Sequence, residues 1–417
     1  MRGLRSGLPG GMQRSDDAFA ARIALFYGAL FLIYGTHVPF TPVWLSWRGL
    51  SAAEISAVMS VPLFLRVFVT PAVALSADRS ARHRQAMQVL AWLSLATATT
   101  LAAAASGFWT ILALVAMLVI CNATLMPLAE TMAVKGVRDR GLDYGRVRLW
   151  GSLTFIVASF LGGLAVTRWG GGAGMWLVVC GCAATVAAAY LLPRIPAEPV
   201  LDVSQRRPLW HAEEPRRLLR SKPFLAFLAA AGGTQAAHAT LMTYGVLLWR
   251  DQGLSATAAG ALWAIAVLAE VALFAWSARL VSLLGPARLL ALAAASSIIR
   301  WIAMAFDPPL VLLVPLQMLH ALTYGGSHVA AIHFIHQAVP PPIQGSAQAL
   351  YATIASGLAM GLATLTAGSL YAAYGGLSYL AMAALASLAL AGALTLGRLW
   401  QGDGPICDTP AEPAAAA

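Results

Sequence analysis

The chain has 417 residues, of which 59% are hydrophobic and only 11% charged, with a formal net charge of +10. Soluble domains carry about 25% charged residues, so this composition excludes an ordinary soluble globular protein. Apolar runs of about 20 residues, each enough to cross a bilayer core of about 30 Å, recur along the whole length and point to an all-α, polytopic membrane protein.

In chain order, residues 1–19 form a polar tail, expected to be disordered and cytoplasmic, in which Met12 is a second candidate start. Twelve spans follow, at 20–43, 52–76, 85–105, 109–134, 147–168, 174–192, 223–249, 256–278, 287–306, 309–335, 346–371 and 377–398. The first is too long for a signal peptide and lacks a small-residue cleavage site. Residues 193–222, rich in proline and charge, read as a linker between two six-helix halves, 20–192 and 223–398, with a tail at 399–417. Twenty-two of the 27 lysines and arginines fall on the side that holds the termini and the linker, and three (Arg48, Arg168, Arg250) on the other. The positive-inside rule makes that first side cytoplasmic. The net charge is therefore a topology signal and predicts no nucleic-acid partner. Several tryptophans, Trp47, Trp109 and Trp169 among them, stand at span ends, where indoles anchor at headgroup level. Of the four cysteines, Cys121, Cys180 and Cys182 lie in apolar spans and Cys407 in the tail. Without zinc spacing or further ligands they read as structural.

Ionisable groups inside apolar spans are costly, and by default mark function. Taking the rise as about 1.5 Å per residue, Glu270 lies about 21 Å along span 8, Arg300 about 20 Å along span 9, His320 about 16 Å along span 10 and His238 about 22 Å along span 7. All four fall in the middle third of the bilayer and form a candidate proton-coupling site, with carboxylate–guanidinium competition and histidine relay as its chemistry. A static ion pair or hydrogen-bonding helix glue is the competing reading. Arg66, mid-span in span 2, is the first candidate to hold a substrate carboxylate through its bidentate fork. Arg300, His328, Tyr34, His37, Asn122 and Gln317 are further candidate lining residues. Glu130 sits near the expected cytoplasmic end of span 4, and Arg146 and Arg148 in the N-terminal turn of span 5, where the helix dipole disfavours cations and acidic partners such as Glu130 or Asp143 offset it. Span 10 also carries His328, His333 and His336. At 100° per residue in a regular helix, His328 lies about 80° round from His320, so the two share a face. His333 and His336 lie on the other side, at the expected cytoplasmic mouth. Their i, i+3 spacing suits a metal, but no further ligands stand at matching depth, so neither a metal nor another cofactor is expected.

The loop after span 2, ALSADRSARHR, resembles the loop signature of the major facilitator superfamily, Gly-x-x-x-Asp-Arg-x-Gly-Arg-Arg. Asp78, Arg79 and Arg82 match, while Ala74 and Ala81 replace the glycines. The resemblance implies that these residues latch the cytoplasmic gate; an ordinary positive-inside loop is the alternative. LDYGRVRLWGSLTFI in span 5, TQAAHATLMTYGVLLW in span 7, LAEVALF in span 8, IIRWIAM in span 9 and LQMLHALTYGGSHVAAIHFI in span 10 together resemble the 3-phenylpropionate permease family of that superfamily. The resemblance implies a major facilitator fold and proton symport of a small aromatic carboxylate. The expected partners are the anion, protons and lipid, and a monomer in the inner membrane is the expected state. Glu270, Arg300 and His320 are similar to the Glu, Arg and His of lactose permease, but Thr323 stands where that protein has a second acid. The alternative function is an efflux pump or a sugar- or nucleoside-type permease on the same fold, and no enzymatic activity is expected.

Overall fold

A computed structural model describes residues 10–80, 82–193, 213–402 and 404–407, without side chains for 10–16, 75, 77–80 and 213. Among the described residues nine helices are long and apolar enough to cross a membrane. Two of them each contain two predicted spans. Ala256–Met304 holds spans 8 and 9, separated where Gly285 leaves helical geometry (φ 69°) ahead of Pro286. Pro341–Leu399 holds spans 11 and 12, separated at Gly375–Ser378. Span 7 consists of two shorter helices, Lys222–Ala236 and Ala239–Asp251, which brings the total to the predicted twelve.

Local chemistry explains several boundaries. Ser51 and Glu54 cap span 2 reciprocally: Glu54 Oε2 accepts from the Ser51 amide at 2.8 Å, and Ser51 Oγ accepts from the Glu54 amide at 3.4 Å. Each bond satisfies an orphan donor of the first turn. Asp143 caps span 5 by accepting from the Arg146 amide at 3.2 Å, and Gly141 closes span 4 in the left-handed conformation. Span 1 starts earlier than the sequence suggested, at Gly10. Inside the predicted linker the described residues include a helix, Glu213–Arg220.

Contacts divide the chain into two units, Met1–Val200 with Trp249–Ala264, and Leu201–Leu248 with Ile265–Ala417. In the first, span 1 packs chiefly on spans 5 and 6, span 2 on span 4, and span 3 on spans 4 and 6. The opening turns of span 8 join this unit through glycine. A Cβ on Gly163 would collide with the Ala256 carbonyl, and one on Gly260 with the Ser159 carbonyl. Thr167 Oγ1 accepts from the Thr257 amide at 3.0 Å beside this crossing.

In the second unit span 7 packs on spans 12 and 11. Its core gathers Phe224, Phe227, Phe334, Tyr351 and Trp400, with Phe227 stacked on Phe334 at 4.5 Å. Three spans leave α-helical geometry here. Span 7 is interrupted at Ala237 and His238, span 10 opens into a π-helical stretch at Ala321–Gly326, and span 11 does so at Ala352–Ala359. Such bulges are rare and concentrate at functional sites. Past span 12 the chain folds back. Trp400 Nε1 donates to the Gly404 carbonyl (2.9 Å), the Ile406 amide to the Ala338 carbonyl (2.8 Å), and Ser221 Oγ to the Ile406 carbonyl (3.4 Å).

Candidate functional site

The interruption of span 7 and the π-helical stretch of span 10 contribute to one polar cluster. Arg300, His238 and Thr323 are completely buried (0% exposed) and Gln317 and His320 nearly so. Arg300 donates through Nη1 to Thr323 Oγ1 at 3.0 Å and reaches His320 Nδ1 at 3.3 Å; through Nη2 it donates to Gln317 Oε1 at 3.0 Å. The guanidinium lies 4.6 Å above the Trp301 ring. Thr323 Oγ1 also meets His238 Nε2 at 3.1 Å, and His238 Nδ1 meets the Thr234 carbonyl at 2.9 Å. Aromatic rings pack round the imidazoles: Tyr324 stacks on His320 at 5.0 Å and Trp301 meets His238 edge-on at 5.0 Å. His238 and His320 are 5.4 Å apart, ring to ring.

Arg300 carries a full charge in this cluster, and each of its hydrogen-bond partners is neutral or formally so. Taking an ion out of water costs several kcal/mol even after relaxation. Among the described residues Arg300 Nε and Gln317 Nε2 are buried without a hydrogen-bond partner, as are Trp301 Nε1 and the Tyr379 hydroxyl beside them. The Trp301 and Tyr379 rings stack at 5.6 Å. All four orphans can donate, and three of them (all but the hydroxyl) can only donate. The arrangement suits a group that offers oxygen acceptors and a negative charge.

Sequence reasoning placed Glu270, Arg300, His320 and His238 at one depth; the structure brings the last three together, with Gln317, a candidate lining residue, beside them. Glu270 lies one step along, its carboxyl against the backbone of Gly325. A Cβ there would stand 3.0 Å from Glu270 Cγ and 3.1 Å from Oε1, so any larger residue at 325 would press on that side chain. His328 is exposed and lies beside Tyr351 at 6.3 Å, whereas His320 is buried. A π-helical stretch, Ala321–Gly326, lies between the two and alters the regular-helix angle that relates them. His333 is held by its own helix, Nδ1 to the Val329 carbonyl at 2.9 Å, and His336 is exposed. Among the described residues no group of three or more His, Cys, Asp or Glu is placed to hold a metal. Thr323, Trp301, Tyr324 and Tyr379 are site residues that the sequence reading missed as such. For Thr323 a signal existed, since a hydroxyl one turn after an intramembrane histidine can bond to it.

The first unit carries a second, looser group. Tyr34 donates to the Asn122 carbonyl at 2.9 Å, and Ser94 donates to Asn122 Oδ1 at 3.1 Å. His37 Nδ1 meets Thr41 Oγ1 of its own helix at 2.7 Å. Arg66 is half-buried, and both it and Arg148 lie within charge–charge reach of Tyr34. Arg148 faces Glu130 at 4.0 Å and lies 4.2 Å over the Phe31 ring, which in turn meets Tyr34 edge-on at 5.4 Å. Tyr144 donates to Glu130 at 2.9 Å. Arg146 pairs with Asp143 at 3.3 Å in an exposed setting. Arg82 is exposed, and the side chains of Asp78 and Arg79 lie outside the described residues. A cleft of about 310 Å³ on this unit, between Val166, Thr167, Arg250 and Leu254–Ala256, is lined by none of the predicted site residues.

Twelve apolar spans among the described residues, with buried ionisable groups and interrupted helices in the second unit, define a multi-pass membrane transporter with the major facilitator fold. The nucleoside transporter NupG superposes with a TM-score of 0.78 at 15% identity, covering 92% of this chain and all of that one. A bacterial homologue of the human lysosomal transporter Spinster does so at 0.73 and 16%, covering 95% and 99%. The profile of the MFS_1-like family matches residues 20–381, and the chain belongs to that family. A probable 3-phenylpropionic acid transporter of Escherichia coli (strain K12) is 31% identical over 353 residues, 84% of this chain and 90% of that one. The maltose permease of Geobacillus stearothermophilus is 28% identical, over 83% and 86%. The protein is accordingly a transporter and not an enzyme.

Proposed function

We propose that the protein is a proton-coupled uptake carrier for a small aromatic carboxylate such as 3-phenylpropionate. On this reading it is a monomer in the inner membrane with both termini cytoplasmic. Arg300 carries the proposal: a wholly buried guanidinium surrounded by neutral acceptors, next to buried donors that lack partners. A carboxylate would meet both deficits with charge-assisted hydrogen bonds, which are about twice as strong as neutral ones. The Trp301, Tyr324 and Tyr379 rings offer faces on which an aryl group can pack. Glu270, His320 and His238 are the proton-handling groups beside that anion site. Arg66, with Tyr34 and Asn122, is its counterpart in the first unit, and Glu130, Arg146 and Arg148, with Asp78, Arg79 and Arg82, form the cytoplasmic gate. The name of the Escherichia coli relative supports the substrate class. A sugar permease is the second reading, favoured by the likeness to a maltose permease.

The test is transport in proteoliposomes. Labelled 3-phenylpropionate should accumulate when the proton gradient points inward and only equilibrate without it, while labelled maltose should not accumulate. If no aromatic acid is driven uphill by the gradient, the reading is wrong; uphill maltose uptake would replace it with the second.

A further inference from the structure

We propose that His320 Nδ1 is a position from which Arg300 and a proton exclude one another, and that Thr323 is the positioning residue that passes the exchange on to His238. The inference rests on the reading of the protein as a proton-coupled anion carrier and identifies the atom where the proton would sit.

The case is one of donors and acceptors. A guanidinium nitrogen only donates, and so does every nitrogen of an imidazolium. Arg300 Nη1 faces His320 Nδ1 at 3.3 Å. That contact is a hydrogen bond only while Nδ1 holds a lone pair, which puts the ring in its neutral form with hydrogen on Nε2. A hydrogen on Nδ1 would set donor against donor beside a positive charge. His238 is fixed in the same way. Its Nδ1 faces the Thr234 carbonyl at 2.9 Å, a pure acceptor, so Nδ1 carries the hydrogen and Nε2 accepts. Thr323 Oγ1, 3.1 Å from that Nε2, is the donor, and its lone pairs remain for Arg300 Nη1 at 3.0 Å. The hydroxyl has a second acceptor in reach, the His320 carbonyl at 3.5 Å. It can therefore turn away when His238 Nε2 gains a hydrogen, and accept from it.

The charged and titratable groups near His320 include His238 from span 7, Arg300 from span 9, Tyr324 on span 10 itself and Tyr379 from span 12 through Trp301, with Glu270 from span 8 further along against Gly325. When a substrate carboxylate binds Arg300 through its side with the orphaned Nε, the guanidinium is drawn off Nδ1. The freed lone pair takes up one proton from the bulk proton pool on the side from which the anion enters, and Nε2 keeps its own hydrogen. Guanidinium, imidazolium and carboxylate then sum to the single positive charge that the site held before. Each anion brings in one proton with no change in buried charge. Loss of the proton lets Arg300 return to Nδ1 and weakens its hold on the carboxylate.

Nitrogen-15 magnetic resonance of the purified full-length protein, labelled at histidine, reads each imidazole nitrogen directly, with His320→Asn and His238→Asn giving the assignments. In the wild type His320 Nδ1 should stay free of hydrogen from about pH 8 to about pH 5, the range in which a histidine ordinarily titrates. In Arg300→Met the same nitrogen should take up a proton with its midpoint at least about one pH unit higher, a tenfold gain in proton affinity. Saturating 3-phenylpropionate should act on the wild type in the same direction. Thr323→Val, which keeps Arg300, should change the His238 Nε2 signal, and Thr323→Ser should restore it. A hydrogen on His320 Nδ1 in the ligand-free wild type, or an unmoved midpoint in Arg300→Met, would overturn the proposal. Should Arg300→Met fail to fold, identical His238 signals in wild type and Thr323→Val would overturn it as well. If the variants behave as expected and 3-phenylpropionate shifts nothing, the exclusion stands and only the choice of substrate fails.

Discussion

Arg148 in the first unit and Arg300 in the second both lie over an aromatic face, 4.2 Å from Phe31 and 4.6 Å from Trp301. Their surroundings differ in everything else. Arg148 has a carboxylate opposite it, Glu130, and the two side chains are 27% and 37% exposed. Arg300 is sealed off and bonded to a histidine, a threonine and a glutamine. The helices differ to match. Among the described residues spans 1 to 6 run as uninterrupted α-helices, whereas spans 7 and 10 break or widen at the Arg300 cluster and span 11 widens at Ala352–Ala359. A part-exposed pair is cheap and contributes little, at most about 1 kcal/mol. A buried, unneutralised guanidinium costs several kcal/mol and persists where that cost serves a purpose.

The contrast breaks most sharply at Arg300. Arg300→Met should lower 3-phenylpropionate uptake by at least about a hundredfold, equivalent to roughly 3 kcal/mol of lost interaction. Yet its melting temperature in detergent should be unchanged or higher, because a charge has been taken out of an apolar interior. A fall in both would make Arg300 a structural cation like any other. Glu270→Gln comes next: the variant should lose gradient-driven accumulation in proteoliposomes while still exchanging labelled for unlabelled substrate. Intact uphill transport would remove Glu270 from coupling. Within the first unit the larger effect should come from packing and not from charge. Gly260→Ala puts a methyl group into the Ser159 carbonyl, which should cost about 1–3 kcal/mol of overpacking and show as a lower melting temperature. The smallest effect belongs to Arg146→Ala, whose exposed pair with Asp143 should be worth under about 1 kcal/mol in the same melt. A large loss there would erase the distinction between the units.

Much of this was legible in the chain because a bilayer imposes a coarse grammar. Span number follows from the length of apolar runs, and Arg300, His238 and His320 stood out because charge is rare in such runs. Glycine's role at position 325 was not legible. It depends on a π turn in Ala321–Gly326, a stretch whose composition (ALTYGG) resembles its helical neighbours. Nor does composition reveal that Thr323 points at two partners, since a threonine in an apolar helix most simply bonds back to its own turn, as Thr124 and Thr185 do here. Backbone register decides these matters, and it is set by tertiary packing.

The fold-back after span 12 has a mechanical meaning. Trp400, Gly404 and Ile406 knot the end of that span to Ala338, past the end of span 10, and to Ser221, at the head of span 7. Three rods pinned at one end can pivot together but cannot slide past one another, so displacement at the Arg300 level must be taken up by the soft turns partway along spans 7 and 10. The knot acts as the fixed anchor of a spring. A fusion partner joined before Gly404 would remove the anchor, whereas one joined after Cys407 would leave the spring its purchase.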